Sequence, residues 1–201
     1  MQESSHLVTS GSNPVLIFIR GIPGSGKTHL TKDLSKRLDN VTVLDPDAVN
    51  ENDASFLHFS KDLNDAGLDR AIHVFRWLRE QAIQHALNDS VIVWNQPFTN
   101  EGIFSRLVQH IVEQAKQKHG TRLRVLIVEV ATPEAIAWQR VLSRKAEGGH
   151  GPEEAIFRQR VSAYVSYKDK FDVITVDGTA DFTSSIEAIS LKIQSLKNAK
   201  D

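Results

Sequence analysis

Apolar residues follow two rhythms along this chain. Five short runs, at 15–20, 41–45, 91–95, 123–130 and 173–177, are rich in Val, Ile or Leu and flanked by polar or turn-forming residues. That is the pattern of strands buried on both faces. Between the runs, apolar residues recur every three or four positions, predicting helices over about 27–38, 66–87, 100–119, 133–145, 152–167 and 183–196. The second helix would carry Ile72, Phe75, Leu78, Ala82 and Ala86 on one stripe, and the last Ile186, Ile189, Ile193 and Leu196. The third presents a broader face of Ile103, Phe104, Leu107, Val108, Ile111, Val112 and Ala115. Pro133 and Pro152 open the fourth and fifth helices in the first turn, where a missing N–H costs nothing. Strands that alternate with helices argue for a parallel sheet covered on both faces, an α/β fold. Ligands of such sheets sit outside the carboxyl ends of the strands, so the residues ending each run are the ones to inspect.

The first run passes directly into Gly21-Ile-Pro-Gly-Ser-Gly-Lys27-Thr28, a G-x-x-x-x-G-K-T phosphate loop between a strand and a helix. Glycines let successive backbone N–H groups converge on phosphate oxygens, Lys27 supplies a cation for the β- and γ-phosphates, and the Thr28 hydroxyl is placed to ligate Mg²⁺. The expected nucleotide-binding set is Gly21, Gly24, Ser25, Gly26, Lys27, Thr28 and His29, with Thr28 as metal ligand and ATP with Mg²⁺ as cofactors.

Composition narrows the setting. At 201 residues and 40% hydrophobic, the chain suits one core, read as a polar tail over 1–13 and a single domain over 14–201. A net charge of −1 lacks the positive excess of proteins that grip long polyanions. Zero cysteines exclude disulfides, zinc-thiolate sites and thiol catalysis, and suit a reducing cytoplasm. No apolar run approaches the ~20 residues needed to cross a bilayer, and the first 13 residues lack the pattern of a signal peptide. The eight histidines show no metal-ligand spacing, and His110 and His119 read as surface residues.

Three further places carry candidate chemistry. The second run ends Leu44-Asp45-Pro46-Asp47, where a carboxylate can receive a proton from an attacking hydroxyl or hold Mg²⁺ through water. Asp47 is assigned that role, and Asp45 either shares it or fixes the turn by local hydrogen bonds. Arg140 and Arg144 lie four apart, hence on one helix face, before the Gly-rich connection at 147–152, which reads as the mobile end of a lid over about 140–152. Arg158 and Arg160 on the next helix are weaker candidates for the same role, because an amphipathic helix carries some exposed charge anyway. The third run ends Trp94-Asn95, with an amide where many phosphate-loop proteins place a metal-anchoring Asp. Trp94 and Phe98 belong either to a substrate pocket or to the core. Acceptor contacts are expected from 52–69 and 96–103.

Together the loop at 21–28, Leu-Asp-Pro-Asp-Ala-Val-Asn at 44–50, Val-Ile-Val-Trp-Asn-Gln at 91–96 and Arg140-x-x-x-Arg144 resemble the P-loop kinases that include polynucleotide 5′-kinase, zeta toxins and chloramphenicol phosphotransferase. The resemblance spans about 14–180. It implies a three-layer α/β/α fold with a five-stranded parallel sheet in the order 2-3-1-4-5. It also implies transfer of the γ-phosphate of MgATP to a hydroxyl of a small molecule, nucleoside or nucleotide. The base would be Asp47, and Arg140 or Arg144 would join Lys27 on the phosphates. Members related to polynucleotide kinase carry an Arg where this chain has Asn50, which leaves the acceptor open. A polynucleotide 5′-hydroxyl kinase and a non-catalytic ATP-binding switch remain as alternatives.

Overall fold

In the computed structural model, which describes residues 11–65 and 67–200, β1 (Val15–Arg20) is buried at all six positions and lies at the centre of a five-stranded sheet. It pairs with β3 (Val91–Asn95) on one side and β4 (Arg124–Ala131) on the other; β2 (Val41–Leu44) and β5 (Val173–Asp177) form the edges. Every pairing is parallel, and the register sets Ile17 between Val93 and Leu126. The order is 2-3-1-4-5, as the resemblance implies. Seven helices accompany the sheet among the described residues: α1 (Lys27–Arg37), α2 (Ala54–Asp65), α3 (Arg70–Gln84), α4 (Glu101–His119), α5 (Glu134–Ala146), α6 (Glu154–Ser162) and α7 (Thr183–Asn198). None is long and apolar enough to cross a membrane.

Strand alternation divides the core in two. Leu16, Phe18, Ile92, Trp94 and Ile127 face one way, against Leu78 and Ala82 of α3 and Phe104 and Ile111 of α4. Ile17, Ile19, Val93 and Val128 face the other, against Leu30 and Leu34 of α1 and Ile186, Ile189 and Ile193 of α7. Each such side chain contributes roughly 1.5–3 kcal/mol by leaving water, so the strand that feeds the phosphate loop is the best anchored in the sheet. A third cluster, Ile22 with Ala137, Val141 and Phe157, ties α5 and α6 to that loop.

The helix expected over 66–87 is α3, shorter at both ends, and an unforeseen helix, α2, precedes it; position 66 lies outside the described residues. α3 starts at Arg70 because the Asp69 carboxylate caps it, accepting from the Ala71 N–H at 2.7 Å. Its buried stripe is His73, Val74, Leu78, Ala82 and Ile83, while Ile72 is 39% exposed. The stripe is rotated because α3 has two partners, α4 and the unforeseen α2, whose Phe56 meets the Trp77 ring at 5.8 Å. On α4, Ile103 is likewise exposed, at 49%. α6 ends at Ser162, about five residues before its expected end, because the chain to Tyr167 turns inward to polar partners in the sheet. His119 is half-buried, its Nε2 donating to the Ile83 carbonyl at 2.9 Å, and so fastens α4 to α3 instead of facing solvent. Of the expected tail, residues 1–10 lie outside the described residues, whereas Asn13 donates to the carbonyls of Lys197 and Ala199.

Candidate active site

The phosphate loop leaves β1 and enters α1 through Gly26, in left-handed backbone with φ 106°, and no side chain caps the first turn of α1. Open N–H groups and the positive end of the helix dipole therefore face the loop's mouth. Gly24 is required by contact as well as by its φ of 78°: a Cβ there would sit 2.1 Å from the Ala137 carbonyl of α5. The loop is thus clamped from behind, with Thr132 donating to the Ser25 carbonyl at 2.9 Å. Ser25 itself is fully buried, and its N–H closes a turn on the Ile22 carbonyl at 3.1 Å. His29 is exposed, 3.1 Å from Asp33 and with its ring 5.6 Å from Phe182.

The Lys27 ammonium folds back onto the Gly21 and Ile22 carbonyls, 3.0 Å from each. Burial lowers its pKa to about 8, aided by the charges of Arg144 and Arg160 and opposed by those of Asp45 and Asp47. An anion laid on the loop would stabilise the charged form.

Thr28 opens the second corner. Asn95, only 6% exposed at the end of β3, donates one way to the Thr28 hydroxyl at 3.2 Å and the other to an Asp45 oxygen at 3.0 Å. The other Asp45 oxygen accepts from the Asp47 N–H at 3.0 Å, so Asp45 both fixes the Pro46–Ala48 turn and brings a carboxylate to the threonine. A hydroxyl with one nearby carboxylate suits Mg²⁺, which keeps several waters and takes few protein ligands. No group of three or more His, Asp or Glu that could hold a metal occurs among the described residues. Asp47 stands on the exposed rim, its carboxylate 3.4 Å from His150 in the Gly-rich connection.

Arg140 donates to the carbonyl of Gly178 at 2.8 Å and to that of Gly24 at 3.5 Å, spanning the turn after β5 and the phosphate loop. Arg144 lines the cavity with Lys27. Arg160, one of the two weaker candidates on the next helix, lines it too, while the other, Arg158, is spent on Glu154 and Glu134. A signal was present: Ile156 and Arg160 are four apart, as Arg140 and Arg144 are, on the opposite side of the Gly-rich connection.

These groups share one cavity of about 890 Å³, whose far wall is the segment 95–104 with Phe75 and Ile156. α2 and the other described residues over 52–69 do not line it, so only the second stretch expected to face an acceptor does. Trp94 is fully buried core. The wall's shape depends on a polar network that sequence reasoning missed. Phe98 holds an unusual φ of 47°, and its carbonyl accepts from Arg20 at 2.8 Å and from the Tyr167 hydroxyl at 2.5 Å. Arg20 is itself 0% exposed, paired with Glu129 at 2.5 Å, and lies 3.2 Å from the centre of the Tyr167 ring. Glu129 also accepts from the Tyr167 N–H at 2.8 Å and the Ser166 hydroxyl at 2.7 Å. Arg20, the last residue of β1, and Glu129, two residues before the end of β4, are register partners; the clue in the sequence was a charged residue inside each apolar run.

A parallel sheet in this order, with a glycine loop after its central strand and helices on both sides, defines the P-loop kinase fold. Within that class the chain belongs to the zeta toxin family, whose family model matches residues 1–187. Among solved structures it is similar to a Chloroflexus aurantiacus protein described as a candidate kinase, at 20% identity and TM-score 0.66, covering 92% of this chain and 98% of that one. Kti12 of Chaetomium thermophilum, solved with ADP-AlF3, matches at 18% identity and TM-score 0.62, covering 92% and 100%. Deoxyadenosine kinase from M. mycoides matches at 18% identity and TM-score 0.56, covering 90% and 99%. A search of curated proteins finds no match. Family and fold support a P-loop kinase-like phosphotransferase.

Proposed function

We propose that the protein transfers the γ-phosphoryl group of ATP to a hydroxyl of a small molecule, nucleoside or nucleotide, in the cytoplasm and with Mg²⁺. The observation that carries the reading is the convergence of Lys27, Thr28, Asp45, Asp47, Arg144 and Arg160 on one cavity beside the phosphate loop. Loop amides and the start of α1 bind the β- and γ-phosphates. Thr28, with the Asp45 carboxylate at the same corner, would hold Mg²⁺, which would supply charge neutralisation for the phosphates. Lys27, Arg144 and Arg160 hold the transferring group, and Arg140 holds the loop in shape from its other end. Asp47, on the rim between phosphate loop and acceptor wall, receives the acceptor's proton. His150 across from it brings the Gly-rich connection over the mouth and excludes water.

The test is transfer of label from γ-labelled ATP to hydroxyl compounds by wild-type protein and by Asp47→Asn. Loss of a positioned base should slow transfer roughly 10²- to 10⁴-fold. An unchanged rate would remove Asp47 from that role. Asp45→Asn should instead raise the Mg²⁺ concentration needed for half-maximal rate, and an unchanged requirement would detach Asp45 from the metal.

A further inference from the structure

Three segments of the chain meet at one amide. Asn95 ends β3 in register with Ile19 of β1, and the next N–H, that of Gln96, fixes the strand end on the Ile19 carbonyl at 3.3 Å. Asp45 follows β2, and Thr28 stands in the first turn of α1. The Asn95 side chain touches both, and at 6% exposure it has little room to turn elsewhere.

The chemistry of its partners decides which way round the amide sits. A carboxylate only accepts, so the N–H₂ faces Asp45, at 3.0 Å. The same nitrogen meets the Thr28 hydroxyl at 3.2 Å, which commits both of its hydrogens. The amide oxygen makes no hydrogen bond among the described residues, and Asn95 lines the cavity. That oxygen is free to accept from a water on a metal. Asp45 is held just as closely, one oxygen by Asn95 and the other by the Asp47 N–H at 3.0 Å. Bonds to both oxygens give this half-buried carboxylate one orientation, and each oxygen keeps a lone pair for a metal or its waters.

Polarity makes the two residues a matched set. With aspartate at 95 and Asp45 unchanged, two acceptor-only groups of like charge would face each other across 3.0 Å. Exchanging both residues restores the bond with its direction reversed.

Resting on the Mg²⁺ reading above, we infer that Asn95 is a positioning residue for the metal: its amide holds the Asp45 carboxylate at the Thr28 corner, and the pair stands as one unit where many phosphate-loop proteins use a carboxylate ending this strand. Mn²⁺, a paramagnetic substitute for Mg²⁺, provides the test. It is titrated, with electron paramagnetic resonance as readout, into protein held in excess over ADP. The proteins are wild type, Asn95→Ala, Asp45→Asn, these two combined, and the exchange Asn95→Asp with Asp45→Asn. Asn95→Ala should weaken Mn²⁺ binding about tenfold or more, the scale for groups that orient metal ligands, while the Kd of metal-free ADP changes less than about twofold. The combined variant should bind Mn²⁺ no more weakly than Asp45→Asn alone, because an amide with no carboxylate to hold has nothing left to position. The exchange should regain most of the lost affinity. Unchanged Mn²⁺ affinity in Asn95→Ala, losses that add in the combined variant, or equal losses of Mn²⁺ and of metal-free ADP overturn the inference. If Asn95→Ala does not fold, the exchange decides: affinity no better than that of Asp45→Asn overturns it. Wild-type protein with ADP that takes up no Mn²⁺ overturns the Mg²⁺ reading and the inference with it, whereas the variant outcomes overturn the inference alone.

Discussion

The two ends of the cavity are built by different means. At the phosphate end the work falls to one continuous stretch, 21–28, whose backbone supplies the N–H groups and whose glycines permit the close contact with α5. At the acceptor end nothing is continuous. Phe75 comes from α3, residues 96–104 from the connection after β3, and Ile156 from α6, and the shape is held by Arg20, Glu129 and Tyr167 from three other places. A site written in the backbone survives changes of side chain around it. A site assembled from distant side chains is as good as the network behind it.

The largest expected effect falls on that network. Glu129→Ala leaves Arg20 charged and unpaired in the core, which should cost about 3–5 kcal/mol of stability, seen as a lower denaturant midpoint. A shift below about 1 kcal/mol would mean that the acceptor end does not depend on the pair. Lys27→Ala should behave oppositely: transfer falls about 10²- to 10³-fold, the scale of losing one preorganised charge donor, while the melting temperature does not fall. The sign follows from its pKa. The folded value of about 8 lies below the ordinary 10.5, so the unfolded chain binds the proton more tightly, and this group's contribution to stability rises with pH between those values. A fall in melting temperature with Lys27→Ala would contradict that.

pH offers a third and smaller effect. Bound phosphate restores the charged ammonium, so nucleotide binding should take up a proton above pH 8, and affinity should weaken by up to about tenfold per pH unit until the bound form titrates. Calorimetry in buffers of different ionisation enthalpy checks this, and no proton uptake at pH 9 would argue against a buried Lys27. Smallest is Tyr167→Phe, which keeps the ring on Arg20 and removes one bond to the Phe98 carbonyl. It should raise the acceptor KM severalfold, for roughly 1 kcal/mol, and leave the nucleotide Kd unchanged. Equal effects on both constants would show that the two ends are not separable.

Legibility in the sequence follows the same division. The five apolar runs give every strand within a residue of its observed ends, because the central strands are buried almost throughout and even the edge strands are mostly Val, Ile or Leu. The phosphate loop is equally plain, since contiguous backbone geometry demands particular residues at fixed spacing. α2 was not read from the sequence although its apolar periodicity matches that of α3; much of its described surface is exposed, with Leu57 at 53%, and its few apolar residues stand among polar ones. Nor was the Arg20–Glu129 pair, 109 residues apart in sequence, because two charged residues inside separate apolar runs do not show that they are neighbours until the register is known. Asn95 reads as the loss of a charge at the end of β3, yet the fold brings the Asp45 carboxylate to the same corner, 50 residues away in the chain.

Arg20 also holds the Val165 carbonyl at 3.2 Å, three residues past the end of α6. Since Arg20 belongs to the central strand, the chain leaving α6 at Ser162, two residues beyond Arg160, is referenced to the interior of the sheet. The guanidinium that shapes the turn at Phe98 is thus the same one that locates the end of α6. One buried side chain sets the spacing between two walls that meet nowhere in the sequence.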